Sequence, residues 1–303
     1  MRSLKDIYDD LDVSSNFAIF SFQPSSFEEA IKDENQVQTM DEEIEAIENN
    51  NTWDLVDLPK DKNLIGVKSV YKTKLNEKGE IDRFKERFVA KGFSQQPRIE
   101  FGETFAPVAI LDTVRAILAT EAHKKWKVYH MDVKSSFLNG ILEEEICVQH
   151  PLGYEFKGKE DKVYKLKKAL YGLMKEPRAW YRRIDSYMIK NGFCRSNIES
   201  TLYTMVNEHG KILVVCLYVD DMIYTGDFEL DEFKKDMMKE FEMTYHGLMK
   251  YFLGIEVEKF EKGIFICQNK YARDFLKRFR MKNCKLVPIP VATSTNLSKD
   301  DEG

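Results

Sequence analysis

The stretch ILVVCLYVDDMIYTG, Ile212 to Gly226, sets Asp220 and Asp221 side by side between two apolar half-strands. Adjacent carboxylates repel, and uncompensated charge beside a buried strand is costly, so the pair calls for a cation. Taken alone it reads equally well as a turn, a hairpin whose tight bend contains both acids, because aspartate is a favoured turn residue. A further acid, Asp132 in YHMDVKSSF, also stands in a strand with apolar neighbours. If the two strands are neighbours, Asp132 and Asp220 can share a face and bind a hard divalent cation through oxygen. Mg2+ suits such a site because it needs few carboxylates, water and substrate phosphates completing its shell. Two ions about 3.5–4 Å apart would clamp an in-line phosphoryl displacement.

The elements that must position these acids follow from periodicity. SFEEAIKDENQVQTMDEEIEAIENNNTW reads as an acidic helical segment with Ile44 and Ile47, stopped at Asn49 to Asn51. LIGVKSVYKTKL alternates, setting Ile65, Val67, Ser69, Tyr71 and Thr73 against Lys68, Lys72 and Lys74, and NEKG (Asn76–Gly79) supplies a turn. The return strand EIDRFKERFVAKGF puts Arg83, Lys85, Arg87 and Lys91 on one face, with Phe84 and Phe88 opposite. Both strands of one hairpin thus carry a basic stripe. A solvated face would look the same. Asp112 is expected to cap a helix carrying Val114, Ile117, Leu118 and Ala122. Trp180, Ile184 and Met188 mark another helix, ended by Asn191-Gly192, and Phe233, Met237 and Phe241 a third. YFLGIEV and GIFICQ read as strands, and Tyr271 to Met281 as a last helix. Strands and helices without regular βαβ alternation give an α+β fold.

Composition limits the alternatives. The 303 residues, 43% hydrophobic and 32% charged, describe an ordinary globular chain. No apolar run approaches the roughly 20 residues that span a bilayer, so no membrane partner is expected, and MRSLKDIYDDLDVSS lacks an apolar signal core. The five cysteines (Cys147, Cys194, Cys216, Cys267, Cys284) form no C-x-x-C pair, which argues against zinc and for reduced thiols. A net charge of −5 argues mildly against a general nucleic-acid binder. His123, His130, His150, His209 and His246 form no ligand or triad pattern, and most of them are expected at the surface or on strand edges.

MDVKSSFLNG, LYGLMKEPRAWY, YVDD and YFLGIEV occur in that order, preceded by LIGVKSVYKTKLNEKGEIDRFKERFVAKGFSQQP and ETFAPVA. With these motifs the chain closely resembles the reverse transcriptase of copia-type retrotransposon Pol polyproteins, over about nine-tenths of its length. The resemblance implies a right-hand polymerase with fingers, a ferredoxin-like palm and an incomplete thumb. A flexible leader (1–25) and the acidic helical segment (26–50) would precede a domain at 51–293. Its fingers would cover about 51–125, its palm about 126–255 and the start of its thumb about 256–293, before a polar tail at 294–303.

The residue roles it implies are these. Asp132, Asp220 and Asp221 match the catalytic acids and hold two Mg2+ ions (Mn2+ an alternative), with the Val133 carbonyl a backbone ligand. Arg87 and Lys85 contact the dNTP triphosphate, and Phe137 is a steric gate against a 2′-hydroxyl. Gly172 lets the backbone approach the nascent base pair. Lys68, Lys72 and Lys74 face template or primer, and Phe252, Leu253 and Gly254 resemble the primer grip. Lys250 is either a proton donor to pyrophosphate or a surface lysine. The implied partners are an RNA template, a DNA primer, dNTPs, and the integrase and ribonuclease H of the parent polyprotein. The implied location is the cytoplasm, in a virus-like particle, or the nucleus.

Some positions depart from the family pattern. Ser69 and Gln36 stand where it has Trp, Glu86 where it has Ala, and Ile110 where it has Arg; Met174, Lys175 and Glu176 also differ. Losing a buried aromatic costs roughly 3–5 kcal/mol, so the expectation is a catalytic centre kept inside a drifting shell. No ribonuclease H segment follows NLSKDDEG, so a piece of a polyprotein with a weak duplex grip is expected, and a non-catalytic remnant is the alternative.

Overall fold

The computed structural model describes residues 24–285, apart from 61, 76–80, 97–98, 156–157, 160 and 262. The expected leader up to residue 23, the Asn76–Gly79 turn and the polar tail lie outside the described residues.

The acidic segment folds as two capped helices. Ser26 accepts from the Glu29 N–H at the start of α1 (Phe27–Ala30), and Asp33 accepts from the Asn35 N–H at the start of α2 (Glu34–Asn49). Next come β1 (Trp53–Asp57), β2 (Leu64–Ile65), and the basic hairpin of β3 (Val67–Leu75) and β4 (Ile81–Ala90). Helix α3 (Leu111–Lys124) starts two residues earlier than a cap at Asp112 would place it. Ile110 is its N-cap, and Asp112 sits in the first turn, where its charge meets the helix dipole and Arg115 at 3.2 Å. Strands β5 (Tyr129–Val133), β6 (Ile141–Val148) and β7 (Lys162–Lys168) precede α4 (Glu176–Lys190). Then follow β8 (Cys194–Arg195), β9 (Leu202–Val206), β10 (Ile212–Tyr218), β11 (Asp221–Gly226), α5 (Leu230–Glu240) and β12 (Met243–Leu248). YFLGIEV is a hairpin rather than one strand, β13 (Tyr251–Phe252) turning into β14 (Ile255–Phe260), because Leu253 and Gly254 take φ of 49° and 81°. Strand β15 (Gly263–Cys267) and α6 (Asn269–Arg278) close the described chain.

The central sheet has the order β12–β5–β11–β10–β9–β8. Its β5–α4–β10–β11–α5–β12 connectivity, with β5 between β12 and β11, is that of a split βαβ unit. Trp180, Ile184 and Met188 of α4 and Phe233 and Met237 of α5 bury one face of this sheet with Met131, Met222 and Tyr224. Side chains alternate along a strand, so Asp132, Asp221 and Ile223 emerge on the other face. That face is packed by Val114, Ile117, Phe252 and Ile255. Each such aliphatic side chain removed from water contributes about 1.5–3 kcal/mol.

A second, four-stranded sheet of order β1–β7–β6–β2 supports the hairpin. Its core joins Trp53, stacked on Tyr164 at 4.1 Å, to Phe88 and Ala90 of β4. Within the hairpin Lys72 pairs with Lys85 and Val70 with Arg87, so the basic residues of the two strands share one face. Tyr71 pairs with Glu86 on the buried face.

Candidate active site

Strand β11 pairs antiparallel with β5, and the register sets Asp221 directly opposite Asp132. Tyr218 pairs with Asp221, so the connecting turn consists of Val219 and Asp220, and Asp221 is the first residue of the returning strand. This corrects the reading of a bend containing both acids. The turn is pinned from two sides. Val133 N–H donates to the Asp220 carbonyl at 2.9 Å, and the Trp180 indole N–H donates to the Val219 carbonyl at 2.7 Å. Val219 itself takes φ 56°, a conformation unusual for a β-branched residue, held by those contacts. The arrangement therefore brings Asp132 and Asp221 onto one face of the sheet, with Asp220 in the turn beyond its end.

His130 is no surface or edge residue. It lies in the central strand β5 two residues before Asp132, and its Nε2 is 2.8 Å from Asp221 Oδ1. The edge of Phe252 and the ring of His246 pack against it. Burial raises the Asp132 carboxyl above its ordinary range, and the neighbouring carboxylates of Asp220 and Asp221 add to this. Three negative charges that disfavour one another on an accessible edge fit a hard divalent cation. Among the described residues no three His, Cys, Asp or Glu side chains already converge on one point. Mg2+ needs only one or two carboxylates besides water and phosphate, so Asp132 and Asp220 suffice as donors while His130 engages Asp221.

A second group of residues meets at Tyr171. The Arg87 guanidinium carbon lies 3.9 Å above its ring, and Phe137, on the turn Ser136–Asn139, meets it edge-on at 5.7 Å. Ala90 N–H donates to the Tyr171 carbonyl at 2.7 Å. Gly172 (φ 88°) follows, and a Cβ there would lie 2.2 Å from the Ala90 carbonyl oxygen. Its close approach is thus to strand β4, and glycine is required there to dock the hairpin. Phe137 also lines a cavity of about 340 Å³ with Pro107, Pro177, Trp180 and Val219, beneath the Val219–Asp220 turn.

Lys68 and Lys72 are exposed on the basic hairpin face, and Lys85 is half-buried there. The Lys74 side chain lies outside the described residues. Phe252 is only 1% exposed: its ring belongs to the core, and the turn Leu253-Gly254 is the more accessible part of that segment. Val133 is 2% exposed and Lys250 is exposed on a groove beside α6. Of the departing positions, Gln36 and Glu86 are buried, each with one oxygen that has no hydrogen-bond partner. Burial pushes the Glu86 carboxyl up to about 7. Ile110 and Met174 are exposed, and Lys175 forms an ion pair with Glu144.

A sequence profile described as reverse transcriptase (RNA-dependent DNA polymerase) matches residues 50–293. The chain belongs to the reverse transcriptase family. Among curated relatives, the Retrovirus-related Pol polyprotein from transposon TNT 1-94 of Nicotiana tabacum is 37% identical over 284 residues, 91% of this chain and 21% of the relative. The corresponding Pol polyproteins from transposons RE2 and RE1 of Arabidopsis thaliana are each 35% identical over 280 residues, 91% of this chain and 19% of each relative. The chain thus spans about a fifth of the length of these relatives.

Sequence reasoning passed over Tyr171, Trp180 as the holder of the turn, and His130. Their partners are distant along the chain; only the LYGL and PRAW motifs hinted at the first two.

Proposed function

We propose that this chain is the RNA-directed DNA polymerase segment of a retrotransposon Pol polyprotein, extending a primer 3′-hydroxyl with dNTPs on an RNA template. The observation that carries the reading is the pairing of Asp132 with Asp221 beside the Asp220 turn. In this reading the six-stranded sheet is the palm, the basic hairpin and the four-stranded sheet form the fingers, and the thumb begins after β14. Asp132 and Asp220 would hold Mg2+, with Asp221 oriented by His130 and the Val133 carbonyl near. When bound, two Mg2+ ions supply charge neutralisation for the attacking oxygen and the leaving pyrophosphate.

The chain's own groups do the positioning. Arg87, fixed over Tyr171, and Lys85 hold the triphosphate for in-line attack. Phe137, braced by Tyr171, lies under the sugar and excludes a 2′-hydroxyl. Gly172 keeps the hairpin docked so that Arg87 stays at that ring. Lys68, Lys72 and Lys74 meet the nucleic-acid backbone, and the Leu253-Gly254 turn bears on the primer end.

A second reading, a remnant without catalysis that binds nucleic acid through its basic face, is favoured by the unpartnered buried oxygens of Gln36 and Glu86. Primer extension on an RNA template with Mg2+ or Mn2+, comparing the natural chain with Asp220→Asn, separates the two. Incorporation by the natural chain alone supports the enzyme, and equal incorporation by both removes it.

A further inference from the structure

ETFAPVA and the PRAW of LYGLMKEPRAWY take no part in the chemistry proposed above, yet the fold locks one to the other. Arg178, in the first turn of α4, donates from one terminal nitrogen to Glu103 Oε2 at 2.8 Å and from the other to the Phe105 carbonyl at 3.0 Å. A guanidinium fork spans two acceptors in a fixed relation, which the single ammonium of lysine does not. The segment it grips, residues 103–108, is neither helix nor strand and has no backbone ladder to hold its course. Two residues further along α4, the Trp180 indole N–H holds the Val219 carbonyl at 2.7 Å. Thr104, Pro107 and Val108 of the gripped segment line the same cavity of about 340 Å³ as Trp180 and Val219. Phe105 and Val108 are exposed, so the segment is a wall between that cavity and solvent.

We propose that Arg178 is a positioning residue for the turn that carries Asp220: by pinning residues 103–108 it keeps water from the Trp180–Val219 hydrogen bond. The inference rests on the reading of Asp220 as a Mg2+ donor and goes beyond it by naming what holds that donor in place. A closed apolar cavity stays dry, and a hydrogen bond in dry surroundings is stronger than one for which water competes. That bond matters because Val219 keeps φ 56°, a conformation that persists only while its surroundings impose it. With the segment released, water reaches the indole N–H and the Val219 carbonyl, and the turn is free to relax away from Asp132. The grip itself is partly exposed, at 26% for the Arg178 side chain and 65% for that of Glu103. Such an ion pair contributes little to global stability, so its effect is local to the cavity and the turn.

The test compares the natural chain with Arg178→Gln, Arg178→Lys, Glu103→Ala and Asp220→Asn, each with primer–template. Electron paramagnetic resonance reads Mn2+ affinity, amide hydrogen exchange over residues 217–222 reads opening of the turn, and melting temperature reads global stability. Arg178→Gln should weaken Mn2+ binding and speed exchange at the turn, each by roughly threefold to tenfold, with a melting temperature within about 3 °C of the natural chain's. Arg178→Lys should fall between the two, keeping the charge without the fork. Glu103→Ala should move both readouts in the same direction by a smaller factor, because the Phe105 carbonyl bond remains. Its exposed side chain keeps the test decisive if Arg178→Gln fails to fold. Turn exchange and Mn2+ affinity that neither Arg178→Gln nor Glu103→Ala alters overturn the inference. Faster exchange throughout the chain, with a matching fall in melting temperature, overturns it as well, since Arg178 would then be a general structural contact. Mn2+ binding that Asp220→Asn leaves intact overturns the reading of Asp220 instead.

Discussion

His130 Nε2 lies 2.8 Å from Asp221 Oδ1, across the same strand pair that sets Asp132 opposite Asp221. A ligand or near-ligand carboxylate held by a neighbouring imidazole is oriented before any cation arrives, and such supporting contacts commonly contribute tenfold to hundredfold in metal affinity. His130→Ala is expected to raise the Mg2+ concentration for half-maximal primer extension about tenfold while leaving the fold intact. Mg2+ titration alongside circular dichroism checks this, and an unchanged Mg2+ requirement would assign His130 to packing against Phe252 alone.

Arg87 and Phe137 both rest on Tyr171, so removing either should separate binding from chemistry. Arg87→Ala should raise KM for dNTP by about tenfold or more with a smaller change in kcat, since a contact made before and during reaction lowers both states together. Steady-state kinetics on a homopolymer template measures the split. A fall confined to kcat would place Arg87 elsewhere.

Phe137→Val shortens the side chain proposed to lie beneath the sugar. Discrimination between dNTP and the matching ribonucleotide should fall about tenfold to hundredfold, read as the ratio of their kcat/KM values. A ratio that does not move would leave Phe137 as a core residue bracing Tyr171.

Glu86 offers a stability prediction independent of catalysis. Its carboxyl, near 4.5 when exposed, is raised to about 7 by burial. Between those values the folded chain holds a proton that the unfolded chain has released, so stability falls as pH rises through this window and is lowest above about 7. Replacing the ionisable group should restore roughly 2–3 kcal/mol above neutrality and little near pH 5. Chemical unfolding of Glu86→Gln at about pH 8 and about pH 5 checks the sign. Equal effects at both pH values would contradict it.

The fold was legible where periodicity is strong. Trp180, Ile184 and Met188 recur at helical spacing, and that stripe is buried on the central sheet. Alternation in the hairpin likewise separated Lys72 and Lys85 from Tyr71 and Phe88. Strand β6 was hidden because LEEEICV carries its acids on the open part of the strand, masking alternation. At the candidate site the three acids were visible as residue types. Their register was not: which acid faces Asp132 depends on a turn one residue shorter than the doublet suggests. His130 was dismissed because its partner lies 91 residues away. Contacts made by chain reversal leave no periodic trace, and so these were hidden.

The central claim is that Asp132 and the Asp220–Asp221 turn share a divalent cation. Mn2+ binding to the chain with primer–template, followed by electron paramagnetic resonance, tests it without requiring turnover. The natural chain should bind Mn2+, and Asp132→Asn and Asp220→Asn should each weaken that binding by about tenfold or more. Mn2+ binding that neither substitution alters would contradict the account.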